Sequence, residues 1–197
     1  AIAVPAMTLN VVGGTLADRL PERVEQSKAA LAEKLSDWSK SEIETHFARG
    51  FSDYWLSFDA ETLHHHAGLI RDAEAKKKQL PIETRVDAAR DVTEIIIYAP
   101  DHPGLFAAIT GAMALSGASV VDAKIMTLTD GMALDTFWIQ DAKNHAFAAK
   151  DRLKQLCGRI EGALSGHLHP ARELAAAQEK ITPGRAGVFK VPPQVLI

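Results

Sequence analysis

The chain has little cysteine: Cys157 is the single one among 197 residues. One cysteine excludes an internal disulfide and a cysteine-rich metal site, and it fits a reducing compartment, so we expect a cytoplasmic location. No apolar run approaches the roughly 18 residues that a membrane-spanning helix needs. Residues 1–14 are apolar but lack the basic flank of a signal peptide. The sequence therefore favours a soluble globular protein with no membrane partner.

A strong excess of either charge is also missing. The 22 basic and 25 acidic residues leave a formal net charge of −3, and both signs interleave along the chain. Nucleic-acid-binding proteins usually concentrate positive charge on one face or tail, so this pattern argues against a nucleic-acid partner. The one basic run, Lys76–Lys78, is interpreted as a solvated helix end.

Motifs for catalysis and metal binding are missing as well. The sequence has no Gly-x-Ser-x-Gly elbow and no glycine-rich phosphate loop. His64, His65 and His66 would point about 100° apart on a helix, so they cannot converge on one metal ion. We expect one half-buried histidine on the apolar face and two exposed ones. The sequence predicts no catalytic residues, no metal site and no cofactor.

Helical periodicity dominates the first part of the chain. Apolar residues recur at helical spacing from about residue 20 to Gly50, and Asp59 can cap a further helix. Four aromatics lie between residues 51 and 58 with no evident core of their own, which predicts packing against a neighbouring domain. Residues 1–90 are predicted as an α-helical connector, in which 1–14 are a tail or added sequence and 81–90 a linker.

From residue 91 the pattern changes to β-branched residues at a period of two, which indicates strands. The predicted order is a strand at 92–99, a helix from 103 to about 117, strands at 119–129 and 132–140, and a helix at about 147–164. Asp130-Gly131 is typical of a hairpin turn. A last strand at 188–197 would complete the βαββαβ order of an α+β, ferredoxin-like fold, and Pro192-Pro193 would restrict that strand to a sheet edge.

The segment 166–184 is longer than a connection between a helix and a strand requires. Its Ala-rich centre, residues 172–180, predicts a short additional helix. We therefore predict one domain over residues 91–197, with an inserted segment near 166–184.

The turn Asp101–Leu105 is the best candidate for a ligand site. Pro103 is expected at the first helical position, where Gly104 and Leu105 would present backbone N–H groups at the positive end of the helix dipole. Gly104 has no side chain, so a ligand carboxylate could approach closely. An amino acid also needs an acid near its ammonium group, such as Asp101 or Asp122. The predicted ligand-binding residues are Asp101, His102, Gly104, Leu105, Asp122 and Lys124, and the alternative is an ordinary strand-to-helix turn.

Four segments together resemble one family. They are Tyr98–Phe106 with the preceding Val92-Thr93-Glu94, the hairpin Asp130–Phe137, the Phe-x-Val-Pro-Pro-x-Val segment Phe189–Val195, and the helical stretch around Tyr54-Trp55-Leu56. They resemble the first ACT domain, and the connector before it, of bacterial PII uridylyltransferase/uridylyl-removing enzymes. An ACT domain is a small regulatory module that binds ligands.

The resemblance implies a C-terminal regulatory fragment of a cytoplasmic enzyme. Members of the family carry a nucleotidyltransferase domain that needs Mg²⁺, an HD hydrolase domain and two ACT domains. They attach UMP to the PII signalling protein when glutamine is scarce and remove it when glutamine is plentiful. This chain has no Gly-Ser, Asp-x-Asp or His-Asp motif of the two catalytic domains. The resemblance thus implies amino-acid sensing without catalysis, with glutamine as the expected effector.

Two other readings remain open from the sequence. The ACT domain could be a structural module that holds domains or subunits together, including a homodimer through an edge strand or the first helix of the domain. It could also be an ACT regulator of amino-acid metabolism, from an amino-acid biosynthetic enzyme or a transcriptional regulator.

Overall fold

The computed structural model describes residues 19–78 and 80–181. The elements within these ranges, in chain order, are α1 (Leu20–Lys34), α2 (Lys40–Phe47), α3 (Ser52–Ser57), α4 (Ala60–Lys76), β1 (Ile82–Asp87), β2 (Val92–Pro100), α5 (Leu105–Leu115), β3 (Ser119–Thr127), β4 (Met132–Gln140), α6 (Lys150–Leu164) and α7 (Pro170–Ile181). The chain divides into two compact units. The described residues up to Gly68 form unit 1 together with Leu128–Asp130, and the other described residues form unit 2.

The helices of unit 1 begin where the sequence supplies caps. Ser39 and Glu42 form a capping box at the start of α2, in which each side chain accepts a hydrogen bond from the other residue's backbone N–H. At the start of α4, the carboxylate of Asp59 accepts a hydrogen bond from the N–H of Thr62 at 2.8 Å. The cap predicted at Asp59 is therefore confirmed.

Unit 1 has an aromatic core of its own, which corrects the expectation that the aromatics of residues 51–58 lack one. The ring of Trp55 packs edge-on against Tyr54 at a centroid distance of 4.8 Å and against Phe47 at 5.4 Å. Its indole N–H donates to the carbonyl of Gly50 at 2.9 Å. Phe51 stays largely exposed. Burial of Tyr54 and Trp55 thus stabilises unit 1 from within.

The three consecutive histidines of α4 are more buried than predicted. His66 is completely buried, and its Nδ1 lies 3.3 Å from the hydroxyl of Tyr54. His64 and His65 are half-buried, where two exposed histidines were expected. The aromatic core explains the difference for His66, because its ring stacks on Tyr54 and meets the ring of Phe58 edge-on.

Residues Leu128–Asp130 join unit 1 through polar contacts. The guanidinium of Arg49 lies 2.8 Å from the carboxylate of Asp130. The backbone N–H and the hydroxyl of Thr129 donate to the carbonyls of Arg49 and Ala48, at 2.9 Å and 3.0 Å. These residues form the turn between β3 and β4, so the hairpin predicted at Asp130-Gly131 is confirmed.

Unit 2 contains a four-stranded antiparallel sheet in the order β1-β2-β4-β3. The predicted strand at 132–140 is observed with those bounds, and the one at 92–99 extends by a single residue to Pro100. The predicted α+β class is confirmed, and the order β2-α5-β3-β4-α6 is consistent with a ferredoxin-like fold. The last predicted strand, 188–197, lies outside the described residues.

The prediction of a linker at 81–90 is wrong, because residues 82–87 form β1. This strand pairs with β2 from Ile82 opposite Ile97 to Asp87 opposite Val92. Its position beside β2 is the edge that a ferredoxin-like order gives to the last strand. An ion pair accompanies the pairing: Nε and Nη2 of Arg85 lie 3.0 Å and 2.9 Å from a single oxygen of Glu94, Oε2, and Glu94 is buried.

The main core of unit 2 lies between one face of the sheet and the helices α5 and α6. It is made of alternate strand residues, the apolar stripes of both helices and two residues of the connecting segments, namely Ile95, Ile97, Ala99, Leu105, Ile109, Ala112, Met113, Ala118, Ala133, Phe137, Ile139, Phe147, Leu156 and Ile160. The C-terminus of α5 is capped from α6, since the guanidinium of Arg159 donates to the carbonyl of Leu115 at 2.6 Å.

Among the described residues, none of the helices is long and apolar enough to cross a membrane.

The helix predicted within the inserted segment is confirmed as α7. It approaches α5 closely: a Cβ added at Gly111 would lie 2.7 Å from Cβ of Pro170. The packing of α7 on α5 therefore needs a residue without a side chain at position 111.

We expect Gly111→Ala to lower the free energy of unfolding by about 1–3 kcal/mol, because the stiff ring of Pro170 must shift to admit the new methyl group. The matched control is Gly158→Ala in the interior of α6, where an added Cβ meets nothing within 4 Å. That change should raise stability by about 0.5–1 kcal/mol through helix propensity. Urea unfolding followed by circular dichroism measures both. Equal effects of the two substitutions would contradict the contact between α5 and α7.

Candidate ligand-binding site

The turn between β2 and α5 is tighter than the sequence predicted. The helix begins at Leu105, and Gly104 is its N-cap with φ of 90°, so Pro103 lies before the cap and not at the first helical position. The N–H of Leu105 donates to the carbonyl of His102 at 3.2 Å and is therefore not available to a ligand. The left-handed backbone explains the glycine at position 104. A side chain there would strain the turn whether or not a ligand binds.

A cavity of about 650 Å³ lies beside this turn, within unit 2. Its walls come from the end of α4, the end of β2, the start of α5, the start of β4 and the end of α6. The lining residues are Ala73, Glu74, Lys77, Lys78, Leu80, Tyr98, Ala99, Pro100, His102, Leu105, Met132, Glu161, Leu164 and Ser165. This volume is typical of a small-molecule site.

The cavity has an apolar floor and a charged rim. Ala73, Tyr98, Ala99 and Leu105 are buried, while the lysines, glutamates and His102 are exposed. An apolar surface with a few polar groups at its margin is the usual arrangement for binding a small organic molecule. The arrangement can hold a ligand that has both an apolar part and charged ends.

The structure brings only some of the predicted site residues together. His102 and Leu105 line the cavity. Asp101 lies in the adjoining turn, where its N–H donates to the carbonyl of Gly131 at 3.2 Å and its carboxylate accepts from the hydroxyl of Thr127 at 2.7 Å. These contacts hold Asp101 to the strands of the hairpin.

Asp122 and Lys124 lie on β3 and do not line the cavity. They pair with Trp138 and Thr136, on the sheet face opposite the core under α5 and α6. The carboxylate of Asp122 accepts the N–H of Ala123 at 2.8 Å, and the ammonium of Lys124 lies 5.8 Å from a ring centroid of Trp138. Both side chains therefore have structural contacts of their own.

Sequence reasoning missed a buried acid close to the turn. Asp135 on β4 is 1% exposed, and its Oδ1 has no hydrogen-bond partner among the described residues. Burial raises the pKa of Asp135 to about 6; a hydrogen bond from the N–H of Met126 acts against this shift, and the charge of Asp101 adds to it. The signal was present in the sequence, because position 135 lies between Ala133 and Phe137 at a spacing of two residues and so shares their face of the strand.

The charged residues of the rim were missed too. Lys77 and Lys78 belong to the basic run interpreted as a solvated helix end, and Glu161 falls on the polar side of α6. Nothing in their local sequence indicates that they meet at one cavity. Among residues 19–78 and 80–181, no group of three or more histidine, cysteine and acidic residues is placed to hold a metal ion.

The chain is 44% identical over 186 residues to the bifunctional uridylyltransferase/uridylyl-removing enzyme of Azospirillum brasilense. It is 38% identical to the enzyme of the same name from Gluconobacter oxydans and 35% identical to the one from Rhodospirillum rubrum. The chain corresponds to a part of these enzymes. The matches cover 94–95% of this chain and 20% of each relative, so the chain spans about one fifth of the length of the relatives it matches. No family model matches it.

The buried carboxyl gives a prediction on pH. The folded-state pKa of Asp135, about 6, exceeds its ordinary value of 3.8, so the folded state holds the proton more tightly than the unfolded state. Its contribution favours folding below about pH 4 and is lost as the pH rises through 6. Asp135→Asn removes the charge and should raise the free energy of unfolding at pH 7.5 by on the order of 1–3 kcal/mol relative to its effect at pH 4.

Urea unfolding of the wild type and the variant between pH 4 and 8 measures this difference. Asp122→Asn, the same substitution at an exposed carboxylate of β3, is the matched control. Parallel profiles for the wild type and Asp135→Asn would show that the buried carboxyl does not titrate in this range.

Proposed function

We propose that the chain is the regulatory region of a uridylyltransferase/uridylyl-removing enzyme and that it senses a free amino acid, namely glutamine. The observation that carries this proposal is the cavity of about 650 Å³ beside the Asp101–Leu105 turn. It is supported by the similarity to enzymes whose names state both uridylyl transfer and uridylyl removal. The resemblance of the same turn to an ACT domain adds the expectation of a small effector.

The chemistry of the cavity suits a free amino acid. Glutamine carries an anionic and a cationic group at one end and a short methylene chain with a neutral amide at the other. The rim supplies charged side chains of both signs, and the floor supplies apolar surface for the methylene groups. Such a ligand would match both parts of the site, because its charged end would meet the charged rim and its methylene groups would lie on the apolar floor.

Catalysis belongs, in this proposal, to the rest of the enzyme. The parts of the relatives that this chain does not match would supply the nucleotidyl-transfer and hydrolytic centres and the Mg²⁺ that they need. The PII signalling protein would then be a partner of the whole cytoplasmic enzyme, and the present chain would contribute the response to glutamine.

We expect calorimetry to detect glutamine binding to the 197-residue chain. His102→Trp should weaken this binding at least tenfold, because the larger side chain occupies part of the cavity that His102 lines. His169→Trp is the matched control, since His169 is also an exposed histidine of unit 2 but does not line the cavity.

A chain that gives no binding heat with millimolar glutamine, while it unfolds cooperatively in urea, would overturn the proposal of glutamine sensing. Equal weakening by both tryptophan substitutions would place glutamine somewhere other than this cavity.

A second candidate function is a structural module that joins two copies of the chain. Apolar side chains on edge strand β3 and on α5 favour it: Val121 is 50% exposed, Ile125 46% and Phe106 48%. An edge strand with exposed apolar residues is a template for pairing with another strand. In this function β3 would pair with β3 of a second copy, with or without an amino acid in the cavity.

If β3 carries the dimer, Ile125→Lys should convert it to a monomer in sedimentation velocity, because two lysines would oppose each other across the new strand pair. The control is Val86→Lys on β1, where Val86 is 43% exposed at the other edge of the sheet. A wild-type chain that sediments as a monomer at all accessible concentrations would exclude this function.

A further inference from the structure

The C-terminus of α4 ends in a left-handed turn that contains no glycine. Lys77 has φ of 50°. Its N–H donates to the carbonyl of Glu74 at 3.2 Å, and the N–H of Lys78 donates to the carbonyl of Ala73 at 2.9 Å. These are the two hydrogen bonds of a Schellman motif, in which the left-handed position is usually glycine.

A lysine in this position has a conformational cost, because its Cβ crowds the backbone where glycine would not. Residues held in such conformations concentrate at functional sites. Lys77 and its neighbour Lys78 both line the cavity, and neither has an ion-pair partner among the described residues. The turn therefore presents two ammonium groups at the rim of the cavity.

A carboxylate lies on the α6 wall of the same cavity. Burial raises the pKa of the Cys157 thiol, the charge of Glu161 raises it further, and the charge of Lys78 lowers it. Glu161 and Lys78 thus both lie near one thiol, and both line the cavity. The wall of the cavity therefore carries a positive and a negative group, each of which acts on the same thiol, and an α-amino acid has two charged groups that could meet them.

We propose that Lys77 and Lys78 bind the α-carboxylate of a free amino acid in the cavity and that Glu161 accepts a hydrogen bond from its α-ammonium group. This inference rests on the proposed function and specifies how the ligand is held. It also extends the site beyond the residues of the predicted ACT domain, because both lysines belong to the segment predicted as connector. The ligand is recognised as a zwitterion at this end, and its side chain lies over the apolar floor.

The test combines a change in the ligand with a change in the protein. Glutamine and its α-amide, in which a neutral carboxamide replaces the α-carboxylate, are titrated by calorimetry into the 197-residue chain. The wild type should bind glutamine on the order of a hundredfold more tightly than the amide, because the amide loses the charge-assisted contacts to both lysines. Lys77→Gln should lose about tenfold for glutamine and bind the amide like the wild type. Lys77→Arg should retain most of the affinity, and Lys143→Gln on the exposed 141–146 loop should change nothing.

A second variant separates ligand binding from stability. Lys77→Gly removes the side chain and also the strain of the left-handed backbone, so its unfolding equilibrium constant should stay level or fall up to about fivefold. Its glutamine affinity should nevertheless drop about tenfold. Asn144→Gly is the control: it relieves the strain of a similar left-handed backbone, with φ of 62°, at a position away from the cavity. It should leave glutamine binding unchanged.

The outcomes distinguish this inference from the proposed function. If Lys77→Gln and Lys77→Gly bind glutamine like the wild type, the lysine contact is wrong while glutamine sensing stands. If the wild type binds no glutamine, both are overturned. A loss for glutamine and its amide alike would also overturn the assignment, because it would show that Lys77 does not act through the α-carboxylate.

Discussion

The pairing of β2 with β4 is the interaction on which the rest of unit 2 depends. Both strands are buried along nearly their whole length and on both faces, so they occupy the centre of the sheet. Their register sets Pro100 opposite Met132, and the hydrogen bond from Asp101 to Gly131 continues the pairing by one step. The entry to α5 and the start of β4 therefore lie together, and the cavity forms where they meet.

Apolar residues on both faces stabilise the central strands, but they leave the register underdetermined. If β4 slipped by one residue, its two faces would exchange places. Leu134 and Trp138 would then be buried at the positions that Ala133 and Phe137 occupy now, so the core would still be lined by apolar residues. The turn at Gly131, with φ of 79°, supplies the missing constraint by joining β3 and β4 in one alignment. In this alignment the side chain of Asp135 points into the core. The fixed register therefore carries the free-energy cost of a buried carboxyl group, one oxygen of which has no hydrogen-bond partner among the described residues.

The local sequence pattern predicted most helices and strands of the fold but few features of the candidate site. Period-two and helical spacing predicted β2, β4, α5 and α6, and the Asp-Gly pair predicted the hairpin. The strand β1 was missed because its six residues are too short a span for a clear alternation of apolar and polar residues. Its pairing with β2 and the Arg85–Glu94 ion pair are contacts between separate segments, which local sequence does not show. The aromatic packing in unit 1 was not predicted for the same reason, because it also depends on contacts between segments. Pro103 was misplaced by two residues because Gly104 takes a left-handed conformation that sequence alone does not fix.

The cavity lies beyond local prediction because five separate segments build it, from residue 73 to residue 165. Each segment has an ordinary local role: a basic helix end, a strand end, a capped turn, the start of a strand and the end of an amphipathic helix. Only their assembly brings charges of both signs over an apolar floor. A ligand that touched all five would stabilise the assembled arrangement in proportion to its binding. It could change the populations of two arrangements only through a difference in its affinity for them. Binding of the proposed amino acid would need no catalytic residue, because it would act through the contacts that an occupied cavity adds between segments distant in the chain.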